Sequence, residues 1–233
     1  MRHLLFTLVL AALVALALPL AAGAIGLDVE AKIAGGLALG STTNPDESGS
    51  PRAGFAGAVG VDLFLLKAGP VDLGVSAGAE YDYLTFYGTL NNFFGFPGLT
   101  QTSQSNYSYL YIPIDVVGRI PLTKSLDLTL RAGGFIGHFL GGSTTLTYNM
   151  AGPFPSSATL NSSNTLVGEY GLHFTGEADI ALSRALALSP GLQFNMGLTN
   201  IQAVNPNGLP GAYPYSDTFW SITATIGIKY TAF

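Results

Sequence analysis

From residue 25 onward, apolar and polar residues alternate with period two, in one segment after another. The first stretch, "LDVEAKIAGG", sets Leu27, Val29, Ala31 and Ile33 on one phase and Asp28, Glu30 and Lys32 on the other. Period two sends successive side chains to opposite faces of a strand. Eight segments read this way, roughly 26–40, 55–66, 71–84, 107–120, 126–140, 167–182, 187–200 and 218–231. None carries a 3.6-residue apolar period, so no sizeable helix is expected.

The connections alternate in length. "KAGP", "PLTKS" and "SRA" are tight turns, whereas the other connections are long and rich in Gly, Ser, Thr, Asn and Pro. Short turns alternating with long loops around an even number of strands is the arrangement of a membrane barrel, with the turns periplasmic and the loops outside. The expected fold is all-β: an eight-stranded antiparallel up-and-down transmembrane β-barrel with both termini periplasmic. "YLYIPIDVVG" carries Pro113 in mid-strand, where the missing ladder donor predicts a bulge.

Charge sharpens the choice of face. Asp62, Asp72, Glu80, Asp82, Asp115, Arg119, Asp127, Arg131, Glu169, Glu177, Asp179 and Lys229 all fall on the polar phase of their segments. A soluble barrel would show the same phase, with the apolar side inside. The polar phase, however, also holds Ala34, Gly36, Ala38, Ala56, Ala58, Gly60, Gly74 and Gly78. Small residues suit a narrow lumen, and a solvated surface has no need of them. The apolar phase is therefore read as lipid-facing. A midplane Lys or Arg there would cost about 2–4 kcal/mol, which explains why none occurs. Tyr81, Tyr83, Trp220 and Tyr230 lie on this phase near segment ends and are candidates for the aromatic girdle.

Composition agrees. Of 233 residues only 10% are charged, against about 25% in typical soluble domains. The net charge of −5 and the absence of a basic patch give no reason to expect nucleic acid as a partner. There is no Cys, so neither a disulfide nor a thiolate site can form. Residues 1–24 read as a cleaved signal peptide: Arg2 and His3, an apolar run, then Ala22 and Ala24 at a small-residue cleavage site. Residues 25–233 then form the barrel domain of an exported protein of the bacterial outer membrane.

Several stretches resemble the outer membrane protein beta-barrel domain family, in its PorT-like group, whose architecture is that of the OmpA and OmpX barrels. "YLYIPIDVVG" is similar to a Tyr-Leu-x-Ile-Pro-Leu strand of that family, "GLTNI" to the glycine-rich segment before its last loop, and "IGIKYTAF" to its closing strand. The resemblance implies an eight-stranded barrel inserted by the outer-membrane assembly machinery, with Phe233 as its assembly signal and no catalytic residues. Phe233 sits one residue out of phase with Ile226, Ile228 and Tyr230.

Strand direction turns position into depth. Asp28, Glu30, Lys32, Asp62, Arg119, Arg131, Glu177, Asp179 and Lys229 should meet in the periplasmic half of the lumen as an ion-pair network, because buried charges must pair. Tyr109, Tyr111, Phe135, Phe139 and Phe219 should fill the outer half against the small residues of the first two strands. The expected role is structural or surface interaction and adhesion by a monomer in outer-membrane lipid, with no cofactor, no metal and no catalysis. Phe93, Phe94, Phe96, Tyr213 and Tyr215 in the long loops are candidates for binding an extracellular ligand. One alternative is a porin-like narrow channel for a small solute or lipophilic ligand. A more distant one is an enzyme modifying lipid acyl chains, using His138 with Ser143 or His173 with Glu169.

Overall fold

The computed structural model describes residues 25–42, 47–50, 52–91, 100–149, 157–161, 168–199 and 217–232. The expectations for residues 1–24, Phe93, Phe94, Phe96, Tyr213, Tyr215 and Phe233 lie outside these. The described residues hold ten strands: β1 Gly26–Thr42, β2 Glu47–Ser50, β3 Arg52–Ala68, β4 Val71–Asn91, β5 Thr100–Pro121, β6 Leu126–Asn149, β7 Ser157–Asn161, β8 Glu169–Ala181, β9 Leu186–Gly197 and β10 Asp217–Thr231. Eight of them close an antiparallel barrel in the order β1-β3-β4-β5-β6-β8-β9-β10, with β10 returning to β1. The short β2 and β7 pair with β4 and β6 outside the ring. The described chain begins and ends at the same end as the tight turns, where Ala232 N donates to Leu27 O at 2.8 Å. This is called the turn end, and the opposite one the loop end.

The two faces divide as the alternation requires. Asp28, Glu30, Asp62, Glu80, Asp82, Asp115, Arg131, Glu177 and Lys229 are buried inside the barrel. Ile33, Ile114, Val116, Ile136 and Leu192 are at least 60% exposed on its outer wall. Such an apolar belt is far too wide for a wall bathed in water. Closure leaves no open sheet edge in this zone, which is how a sheet satisfies its backbone in lipid.

Two bulges modify the pattern. Leu65 is the extra residue where β3 pairs with β4, so Phe64 stays inside while Leu65 and Leu66 are both exposed. In β6 the extra residue is Leu140, beside Gly141 at φ +148°, and the pairing steps from Tyr109↔Phe139 to Ser108↔Gly141. Pro113 makes no bulge, contrary to expectation. Its register with Phe135 is regular, and the ladder to β4 resumes in step after a gap between Ala77↔Ile114 and Glu80↔Tyr111. The missing N–H costs ladder bonds there without shifting the strand.

The central strands run past the expected boundaries. The stretches around 88–106 and 141–165 are expected from the sequence to be loops, but residues 88–91, 100–106, 141–149 and 157–161 are strand. Among the described residues β4, β5 and β6 extend farthest toward the loop end, where β2 pairs with β4 and β7 with β6. Along β4 the polarity inverts at Tyr83/Leu84. Below it Leu73, Val75, Tyr81 and Tyr83 face outward and Asp72, Glu80 and Asp82 inward. Above it Leu84 and Phe86 are buried inward, while Thr85, Tyr87 and Thr89 take the outward phase. Register continues these outward positions into three rows: Thr85–Asn106–Ser143, Tyr87–Gln104–Thr145 and Thr89–Thr102–Thr147. Thr85 donates to Asn106 Oδ1 at 3.0 Å across the first row.

Candidate functional site

The lumen is filled in layers, beginning at the turn end. Arg119, half-buried on β5, donates to Asp28 at 3.0 Å and to Asp72 at 3.0 Å, and its guanidinium lies 4.2 Å from the ring centre of Phe64. A planar cation over an aromatic face is favourable in its own right. Lys229 on β10 donates to both oxygens of Asp179 at 2.8 Å and reaches Glu177 at 3.4 Å. Thr129 donates its hydroxyl to Asp179.

Arg131, on β6, holds the centre. Its Nε and Nη2 grip Asp62 on β3 at 2.9 and 2.6 Å, Nη1 donates to Glu177 on β8 at 2.6 Å, and Nη2 also reaches Glu30 on β1 at 2.9 Å. One guanidinium therefore ties four strands across the lumen. The planar fork of an Arg, with five donors, suits a bidentate grip on one carboxylate together with bonds to two others. Lys32 adds a contact to Glu177 at 3.4 Å. All nine residues assigned to the network, Asp28, Glu30, Lys32, Asp62, Arg119, Arg131, Glu177, Asp179 and Lys229, project into this half of the barrel.

A second layer has carboxylates but no Lys or Arg among the described residues. Gln193 and Asn195 donate to Glu80 at 2.6 and 3.3 Å. His173 Nδ1 lies 2.8 Å from Asp115, and its Nε2 is 3.1 Å from Thr175 Oγ1. Tyr111 donates to Glu169. A cavity bordered by Glu30, Lys32, Glu80, Asp115, Arg131 and His173 separates the two layers. His173 is thus committed to Asp115 and Thr175, and Glu169 to Tyr111, so these two do not form a pair.

Aromatic rings close the third layer. Phe86 and Phe219 stack at 4.0 Å, Tyr111 meets Phe135 at 4.7 Å, Tyr109 meets Phe139 at 5.3 Å, and Tyr109 is fully buried. The rings need glycine opposite them. A Cβ on Gly137 would stand 2.5 Å from the Tyr111 ring, and one on Gly171 2.5 Å from Phe135. Leu84, Phe86 and Phe64 were not foreseen as luminal. The signal was available, since each lies on the polar phase of its strand.

On the outer wall, Tyr83 stacks with Phe55 at 5.0 Å, Tyr81 hydrogen-bonds Ser108 at 3.0 Å, and Trp220 lies 6.4 Å from Phe194. Tyr230 is 50% exposed near the turn end. These four positions bracket the apolar belt. His138 is exposed on the outer wall opposite Leu110, and Ser143 lies beyond the Leu140 bulge in the first polar row. No group of three His, Cys, Asp or Glu among the described residues is placed to hold a metal ion.

Comparison with known proteins places this architecture. Residues 22–203 match the family described as outer membrane protein beta-barrel domain. Among solved structures, the chain is similar to a major outer membrane protein from Thermus thermophilus, with 16% identity over 88% of this chain and 99% of that one, TM-score 0.48. It is also similar to Neisserial surface protein A (11% identity, 88% and 96% covered, TM-score 0.40). The outer membrane protein OprG from Pseudomonas aeruginosa is a third (13%, 87% and 95%, TM-score 0.41). No curated protein matches.

Proposed function

Because the chain belongs to the outer membrane protein beta-barrel domain family, we propose that it is a non-conducting outer-membrane barrel serving a structural and surface-interaction role. Within the family we group it with the small OmpA- and OmpX-like barrels. In this reading residues 1–24 direct export and are removed, the assembly machinery inserts the chain with Phe233 as part of its signal, the turn end is periplasmic and the loop end faces outward. The barrel acts as a monomer without cofactor or catalytic activity.

The observation that carries this reading is the filling of the lumen. Arg131 ties β1, β3, β6 and β8 together at one level, and stacked aromatic rings occupy the level above the acidic layer. An eight-stranded interior is only wide enough for side chains to fill. What remains for function is the loop end, where strands β4, β5 and β6 project and where Phe93, Phe94, Phe96, Tyr213 and Tyr215 are the candidate binding residues.

The test is solute flux through liposomes containing refolded protein. Swelling with small neutral sugars should match protein-free liposomes; sustained uptake would favour the second reading, a narrow channel. The polar cavity beside Lys32, Glu80 and His173 favours that second reading. Alanine replacement of the five loop aromatics should leave insertion intact and abolish adhesion to an abiotic or cellular surface. Unchanged adhesion would remove them from the interaction.

A further inference from the structure

Two of the tight turns are built alike. Leu122-Thr123-Lys124-Ser125-Leu126 joins β5 to β6, and Leu182-Ser183-Arg184-Ala185-Leu186 joins β8 to β9. In each, a hydroxyl follows the first Leu, a cation stands at the tip and a second Leu closes the turn. The hydrogen bonds repeat as well. Leu122 N donates to Leu126 O at 2.9 Å, and Leu182 N to Leu186 O at 2.8 Å. Ser125 N donates to Thr123 Oγ1 at 3.2 Å, and Ala185 N to Ser183 Oγ at 3.3 Å. A Ser or Thr hydroxyl bonded in this way fixes the turn backbone. The two turns are also neighbours, since Ala181 N donates to Ser125 O at 2.9 Å.

The cations at the tips stand apart from the others. Of the Lys and Arg side chains that the structure describes, Lys32, Lys67, Arg119, Arg131 and Lys229 each pair with a carboxylate. Lys124 and Arg184 are exposed and have no such partner among the described residues. At this end of the barrel Asp28, Asp72 and Asp179 are held by Arg119 and Lys229 instead. Both tips stand where the apolar belt ends. Leu122 and Leu182 continue the outward phase of β5 and β8 and are 55% and 61% exposed, and Leu186 is 42% exposed on β9. A Lys or Arg at the edge of a lipid-facing wall lays its apolar stem along that wall and carries its charge to the headgroup level.

We infer that these paired turns form a headgroup site for an anionic phospholipid. Lys124 and Arg184 would hold its phosphate, and its acyl chains would run along Leu122, Leu182 and Leu186. Two adjacent cations disfavour a zwitterionic headgroup, whose ammonium they repel, and favour one with net negative charge. The inference goes beyond the role proposed for the loop end and is independent of whether the lumen conducts.

The experiment uses refolded full-length barrel in nanodiscs of equal phosphatidylglycerol and phosphatidylcholine with matched acyl chains. Lipid retention is read by native mass spectrometry after release. Wild type should retain phosphatidylglycerol about tenfold over phosphatidylcholine, as two basic groups near an anionic headgroup allow. Lys124→Gln with Arg184→Gln should bring the two lipids to parity. Lys124→Arg with Arg184→Lys should keep the preference, and so should Lys67→Gln, since Lys67 lies in the third turn and is engaged by Asp72. The charge-keeping pair stays informative if the Gln pair refolds poorly. Equal retention of the two lipids by wild type, or an unaltered preference in the Gln pair, overturns the inference. An equal loss in Lys67→Gln also overturns it, because net charge and not the paired turns would then select the lipid. Binding of free glycerol phosphate as strong as that of the lipid overturns it as well. Flux measurements on the same samples report separately on the lumen.

Discussion

Arg131 and Asp62 face each other across the lumen and are joined by two hydrogen bonds of 2.9 and 2.6 Å, although β6 and β3 are not neighbours in the barrel. The pair spans the interior like a strut. Its charges are almost wholly buried, so the Asp62 carboxylate and the Arg131 guanidinium each stand in for the water the other has lost.

Arg131→Met should therefore strand Asp62 and Glu30, whereas Glu177 keeps Lys32 and Lys229. Removing one partner of a buried ion pair costs about 3–5 kcal/mol. Urea titration of refolded protein in lipid vesicles should show a loss on that order. Arg131→Met combined with Asp62→Leu should be less destabilised than Arg131→Met alone, because one orphaned charge is gone. A double variant no better than the single one would show that Asp62 is not coupled to Arg131.

On the outer wall the sign reverses. Ile33 is 66% exposed on the apolar belt. Ile33→Arg should lower stability in vesicles by about 2–4 kcal/mol if the position is near the midplane. Ile33→Leu should change it little. In a soluble barrel the arginine would be tolerated, so refolding yields in lipid and in water separate the two architectures.

The polarity inversion at Tyr83/Leu84 on β4 predicts the membrane boundary there. The chain has no Cys, so single cysteines can be labelled cleanly. A fluorophore at Ala77→Cys should be quenched by brominated lipid and ignore aqueous iodide. At Thr89→Cys the order should reverse. Lipid quenching at both sites would place the projecting wall inside the bilayer and contradict that boundary.

The aromatic layer depends on glycine. Gly137→Val should force the Tyr111 ring from its place, since a Cβ there would stand 2.5 Å from it. Overpacking of this kind costs about 1–3 kcal/mol. Gly57→Val, where a Cβ meets nothing within 4 Å, should be nearly neutral. Denaturant midpoints of the two variants give the comparison.

Much of this was legible from alternation alone. Eight segments, their direction and the polar phase follow from period two, because a lipid-facing wall tolerates no charge. The partners of each charge were not legible. Whether Arg119 meets Asp28 or Asp179 depends on the stagger of strands around the ring, which no single strand records. Leu65 and Leu140 were hidden because "LFLLK" and "FLGG" place apolar residues consecutively, and phase cannot show which one is extra. The tall ends of β4, β5 and β6 were missed for another reason. Above Tyr83 the alternation continues, but apolar residues move to the opposite phase. Leu84 and Phe86 against Thr85 and Tyr87 read as the end of a strand when they mark only the end of the membrane.

The closed lumen is the central claim, and single-channel recording in planar bilayers tests it most directly. Refolded wild-type protein should give no stable openings across the accessible voltage range, because the Arg131 network and the ring layer of Tyr109, Tyr111 and Phe219 block the same path at two levels. Stable, large, ion-selective openings of the wild-type barrel would contradict it.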